Sequence, residues 1–158
     1  MRQILIFKLL FWACIFLQAQ TAFSQIKTHS FEQLDSLQKV EKRTIVVFIH
    51  TDWCKYCQTM TNTTFKNDSI IKILNDQFYF IDLNAEEKQN ITFNGHLFKY
   101  KPTGTTTGIN ELAEQLGTVD NKISYPTLCF LNTNNEIILQ YPQYIASKDL
   151  IAILMRLK

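Results

Sequence analysis

Thr44 to Cys57 reads TIVVFIHTDWCKYC, and its two halves call for different structures. Thr44–Ile49 is an unbroken β-branched and aromatic run, short enough for a strand and apolar enough to be buried on both faces. His50 to Trp53 then turns polar and leads to Cys54-Lys55-Tyr56-Cys57. From Lys55 the pattern predicts a helix, weakened by Thr59, Thr61, Thr63 and Thr64, whose β-branched side chains lose rotamer freedom there. A buried strand that feeds a helix, with a cysteine pair at the junction, is the unit around which the rest of the chain is arranged.

Working outward, Ser30–Lys42 places Phe31, Leu34, Leu37 and Val40 at helical spacing behind Ser30 as N-cap. Downstream, Asn67-Asp68-Ser69 is a fresh cap before Ile70, Ile71, Ile73 and Leu74, and Phe78–Leu83 is a second strand. Ile109–Leu116 reads as a short helix closed by Gly117 at C′. Strands Thr127–Leu131 and Ile137–Tyr141 are joined by the turn residues Asn132–Asn135, and Ser147 caps a last helix carrying Leu150, Ile151, Leu154 and Leu157. The order α-β-α-β-α-β-β-α predicts an α/β sandwich. Residues 84–108 break that rhythm. Ile91–Phe93 and His96–Tyr100 flank Asn94-Gly95, a two-residue hairpin turn, and Pro102 to Gly108 reads as loop. This predicts a surface hairpin inserted between a strand and a helix, either a plain loop or a partner-recognition element. Its Phe98, Lys99, Tyr100 and Lys101 form a basic-aromatic string expected to be a solvated strand.

The N-terminus is of another kind. Arg2 and Lys8 precede the apolar run Leu9–Leu17, which is too short to span a bilayer, and Ala22-Phe23-Ser24 supplies small residues for cleavage before Gln25. Residues 1–24 are therefore expected to be a signal peptide, with an uncleaved anchor as the alternative, and residues 25–158 the working domain. Phe11-Trp12-Ala13 is a poor lipobox, so Cys14 is expected to be discarded with the leader. Of sixteen bases, the loss of Arg2 and Lys8 leaves fourteen against fourteen acids. That balance offers no electrostatic case for nucleic acid or an anionic membrane surface. Four cysteines in 158 residues exclude a disulfide-scaffolded mini-fold, and 13% aromatics argue against disorder. An exported chain meets an oxidising compartment with Cys54, Cys57 and Cys129, an odd number, and that bookkeeping pairs Cys54 with Cys57.

The chemistry follows from the position of the pair. A thiol at a helix N-terminus faces unpaired N–H groups and the positive end of the helix dipole, which favour thiolate and make Cys54 a nucleophile. Lys55 adds positive charge, and Trp53 shields one flank. Cys57 lies one turn in, within reach of a mixed disulfide formed at Cys54.

Thr51-Asp52-Trp53-Cys54-Lys55-Tyr56-Cys57 resembles the active-site motif of the thioredoxin superfamily, and Tyr125-Pro126-Thr127 resembles its cis-proline element. The two motifs lie in the right order within Thr44 to Leu157. Asp-Trp-Cys-x-x-Cys, with Phe65 and a capped second helix behind it, is similar to the C-terminal periplasmic domain of the disulfide reductase DsbD and to secreted thioredoxin-like proteins of Gram-negative bacteria. The resemblance implies a thioredoxin-like fold, a central mixed sheet flanked by helices with the hairpin inserted. It also implies thiol–disulfide exchange with Cys54 attacking and Cys57 resolving, a substrate groove shaped by Pro126, and pairing of the Tyr125 backbone with a substrate strand. Trp53, Lys55 and Tyr56 would border that groove. Two positions depart from the family. Phe48 stands where the family carries a buried aspartate that assists proton transfer at the resolving thiol, and Lys55-Tyr56 matches none of its well-known dipeptides.

The expectation is an exported, periplasmic or secreted thiol–disulfide oxidoreductase on the reducing side. It would act on protein or peptide disulfides with no cofactor beyond the Cys54–Cys57 pair, and have no metal site and no membrane span after leader removal. Two alternatives stay open. One is a copper- or zinc-binding chaperone using His50, Cys54 and Cys57, with His96 as a remote fourth ligand. The other is a binding module with a permanent structural disulfide. Cys129, in an apolar run, is expected to be an inert buried thiol.

Overall fold

A computed structural model describes residues 25–158; the expected leader, Cys14 included, lies outside them. The sheet is built on β1 (Thr44–His50), which pairs in parallel with β2 (Phe78–Asn84), Val46 opposite Phe80 and Phe48 opposite Asp82. On the other side of β1 run β9 (Thr127–Leu131) and then β10 (Ile137–Tyr141), both antiparallel to their neighbours. The sheet order is β10-β9-β1-β2, a mixed sheet as expected. Beyond β2 the N-terminal segment adds a single parallel bridge, Thr28 to Phe80.

Each face of the sheet carries its own apolar layer, which is why β1 reads as continuous hydrophobe rather than as an alternation. Ile45, Val47, Ile49, Tyr79, Ile81 and Leu83 face one side, with α1 (Phe31–Val40) and α4 (Glu111–Gly117). Val46, Phe48, Phe78 and Phe80 face the other, with α2 (Lys55–Asn62), α3 (Asp68–Gln77) and α5 (Ser147–Leu157). A single 3-10 turn, Thr64–Lys66, separates α2 from α3. Asn67 caps α3 as its sequence predicts, its side chain accepting from the N–H groups of Ser69 and Ile70.

Several local expectations need correction. Val40 is 88% exposed, because α1 has turned its apolar stripe past the sheet by its last residue. Helix α4 starts at Glu111, since Ile109 belongs to a strand and Asn110 caps the helix through its side chain; Gly117 is its last residue rather than its C′. Ser147 is the first residue of α5, and Ala146 holds the cap position. Ser30 does cap α1, but the observed side-chain bond runs the other way, from the Ser30 N–H to Gln33 Oε1 at 3.0 Å.

The insertion differs most. Its hairpin, β3 (Ile91–Phe93) with β4 (His96–Phe98), turns at Asn94 and Gly95 with φ of 52° and 74°, the geometry that pair of residues favours. Only one of its faces is at the surface. Ile91, Phe93 and Phe98 are buried with the α1 layer, and Phe93 meets the Phe31 ring at 5.0 Å. Of the basic-aromatic string, Phe98 therefore belongs to the core. The expected loop after it is partly strand, with β5 (Tyr100–Pro102) pairing β6 (Gly108–Asn110). A small hairpin, β7 (Thr118–Val119) with β8 (Lys122–Ile123), turns at Asp120-Asn121 and was not expected.

Candidate active site

Strand β1 ends at His50, and the chain makes a turn closed by the Cys54 N–H to the Thr51 carbonyl at 3.2 Å. The turn is braced from both sides: Gln58 Nε2 donates to the Asp52 carbonyl at 2.8 Å, and Asn84 Nδ2 donates to Asp52 Oδ1 at 3.1 Å. Cys54 is thereby delivered to the N-cap of α2, where its Sγ accepts from the Cys57 N–H at 3.1 Å. This is the arrangement that stabilises negative charge on sulfur. Cys54 and Cys57 are joined as a disulfide, and both are buried.

Around the buried pair lies an exposed aromatic border. Trp53 is 65% and Tyr56 68% exposed, although large aromatics ordinarily seek burial. The Trp53 indole N–H donates to Glu86 Oε1 at 3.3 Å, and its ring meets that of Tyr125 edge-on at 5.9 Å. Tyr56 faces Tyr144 at 6.5 Å, and Lys55 between the cysteines is exposed. The Tyr125–Pro126 peptide is cis, Pro126 is buried at the entrance to β9, and the Tyr125 ring packs against the layer that holds the disulfide. Burial, with the charges of Glu86 and Glu114, pushes the Tyr125 hydroxyl up to about 12, so it stays protonated at neutral pH. The structure thus gathers Trp53, Cys54, Lys55, Tyr56, Cys57, Tyr125 and Pro126 at one end of the sheet.

His50 is paired with a carboxylate. Its Nε2 lies 2.8 Å from Asp82 Oδ1, and among the described residues no cluster of three or more His, Cys, Asp or Glu is placed to hold a metal ion. His96 is out on the inserted hairpin, edge-on to Phe98. Cys129 is buried on the opposite face of the sheet from the disulfide, and burial pushes its thiol up to about 12. Sequence reasoning missed Asp82, Glu86 and Tyr144. For Asp82 a signal existed: in FYFIDL it takes the same alternating face as Phe80.

A mixed sheet with helices on both faces, a strand-to-helix cysteine pair and a cis-proline across from it define a thioredoxin-fold protein with the parts that thiol–disulfide exchange requires. Residues 31–158 match the thioredoxin-like domain family, and the chain belongs to it. No curated protein matches the chain. Among solved structures it is similar to a DsbH oxidoreductase (12% identity, 89% of this chain and 92% of that one, TM-score 0.60). It is also similar to a thioredoxin from Thermus thermophilus (16%, 84% and 86%, TM-score 0.58). A third is the reduced C-terminal domain of DsbD from Neisseria meningitidis (15%, 80% and 92%, TM-score 0.53). At these identities the likeness is one of fold. Among the described residues no helix is long and apolar enough to cross a membrane.

Proposed function

We propose that this chain is an exported thiol–disulfide oxidoreductase, periplasmic or secreted, that reduces disulfides in protein or peptide substrates. The observation that carries the reading is Cys54 at the N-cap of α2, bonded to Cys57 and to its N–H, inside an exposed aromatic rim. In the reduced chain the Cys54 thiolate attacks a substrate disulfide, forming a mixed disulfide and releasing the first substrate sulfur as thiolate. Cys57 then attacks Cys54, releases the second substrate thiolate and restores the Cys54–Cys57 bond, so two electrons pass to the substrate. Trp53, Lys55 and Tyr56 border the groove, and the Tyr125 backbone ahead of Pro126 pairs with an extended substrate segment. A dithiol donor returns the chain to its reduced form.

The leader layout of residues 1–24 and the likeness to a DsbD domain support export. The Gln25 carbonyl accepts from Asn75 Nδ2 at 2.9 Å, which ties that residue to α3.

The serine variants test the reading. Cys57→Ser removes only the resolving step, so in its native compartment it accumulates disulfide-linked adducts through Cys54, and Cys54→Ser accumulates none. Because Cys57→Ser has no disulfide to donate, adducts with proteins whose cysteines are normally paired report reduction rather than oxidation. Adducts formed equally by both variants, or by neither, overturn it.

A further inference from the structure

Closing the Cys54–Cys57 bond requires the Cys57 thiol to lose a proton, and opening it by attack on Cys54 requires the Cys57 thiolate to gain one. Phe48, on the face of β1 below the disulfide, cannot serve. Its neighbours can. Across the strand pair Phe48 is opposite Asp82. Two residues along, the His50 ring stacks on Phe48 at 5.2 Å, and its Nε2 lies 2.8 Å from Asp82 Oδ1. His50, Asp82 and Cys57 line one cleft of about 300 Å³, completed by Asp52, Gln58 and Thr61. That volume has room for several waters at about 30 Å³ each, and Asp52, Gln58, Thr61 and Asp82 bring polar groups to its lining that can hold them.

We propose that His50, held by Asp82, exchanges the Cys57 proton through water in this cleft each time the disulfide opens or closes. The proposal rests on thiol–disulfide exchange at Cys54 and Cys57. In closing, neutral His50 takes the proton of the Cys57 thiol, the sulfur attacks Cys54, and the substrate thiolate leaves. In opening, a donor thiolate attacks Cys54, the Cys54–Cys57 bond breaks, and the leaving Cys57 sulfur takes its proton from the His50 imidazolium. Asp82 is a positioning residue: it orients the ring and stabilises the imidazolium.

The surroundings supply the right charge. From β2 comes Asp82, and from the loop after β1 comes Asp52, held by Asn84. From α2 come Gln58, Thr61 and Asn62, all uncharged. Lys66 and Asp68 line the adjoining groove on the far side of Asp82. Burial pulls the His50 pKa down, but the hydrogen bond and charge of Asp82, helped by the Thr51 backbone and the Asp52 charge, outweigh it and leave the pKa above 6.5.

The two steps separate in time when the reduced full chain is mixed with an aromatic disulfide. The first thiolate released reports attack by Cys54, and the second reports closing by Cys57. In the wild type the second release should rise with pH through an inflection above 6.5, and His50→Gln should remove the inflection and slow that release about tenfold at pH 7. The first release should be unchanged. Asp82→Asn should move the inflection to lower pH. Opening of the oxidised chain by 2-mercaptoethanol, corrected for thiolate concentration, should show the mirror profile, falling as pH rises, and be flat in His50→Gln. A His50→Gln chain with the wild-type profile for second release overturns the proposal, as does one in which both releases slow by the same factor. A wild-type chain that releases no second thiolate overturns exchange itself, and this proposal with it.

Discussion

His50 and Asp82 form an ion pair that is half in water, with side chains 20% and 51% exposed, so its weight in stability depends on pH. The folded pKa of His50 is raised, so its contribution is fully present below the unfolded value of about 6.5 and lost as pH rises through the folded value. His29 acts in the opposite sense. Burial, then Lys27 and Arg43, hold its pKa down, so the fold loses stability as pH falls below about 6.5. The wild-type curve sums the two, and Asp82→Asn separates them. Urea unfolding should show a gap between wild type and Asp82→Asn that is widest below the unfolded His value of about 6.5 and narrows as pH rises through the raised folded pKa of His50. A gap of the same size at every pH would count against the pairing. At this scale Cys54 and Cys57 were legible because their chemistry depends on sequence-local position, and Pro126 only through the family resemblance of Tyr125-Pro126-Thr127. Asp82 was not, because only strand register brings it to His50, thirty-two residues away.

Among the elements, the inserted hairpin is the one whose role the sequence misstates. Asn94-Gly95 announces the turn, but turn chemistry is local and says nothing about which face of the hairpin is covered. Alternation within Ile91-Thr92-Phe93 was the available hint, and the structure buries Ile91 and Phe93 while exposing Thr92. Phe93→Ala should therefore behave as a core truncation and cost about 3–5 kcal/mol in urea unfolding. Leu97→Ala, on the exposed face of the same hairpin, should stay within about 0.5 kcal/mol. Equal and small effects would return the hairpin to the surface. Boundary errors remain at α4 and α5. In both, the cap lies one residue from the expected boundary: Asn110, a strong capper, starts α4, whereas Ala146 holds the α5 cap position with no side-chain bond although Ser147 is the better capper by propensity.

Taken whole, the molecule is a sheet that divides its thiols. Cys129 pairs across from Val47 on the α1 face, while the disulfide lies with α2, α3 and α5 on the other. The four-stranded sheet separates the two environments. With its thiol pushed up to about 12 by burial, Cys129 should resist alkylation in the native reduced chain at pH 8, and mass spectrometry should show it labelled only after unfolding. Cys54 should react within the native state. Labelling of Cys129 at a rate comparable to Cys54 would mean that the α1 layer opens far more readily than its packing implies.

By itself the sequence determined the strand-to-helix junction at Thr44–Cys57, the order of the main elements, and the chemistry of the cysteine pair. Each of these is written in hydrophobic period, in capping residues, or in the spacing of two thiols along one helical turn. Only the tertiary structure decided that Asp82 stands beside His50, that Trp53 reaches Tyr125 and Glu86, and that one face of the hairpin joins the core. Those relations join residues far apart in the chain, and they exist only once β1 and β2 have paired in register and the two apolar layers have closed on the sheet.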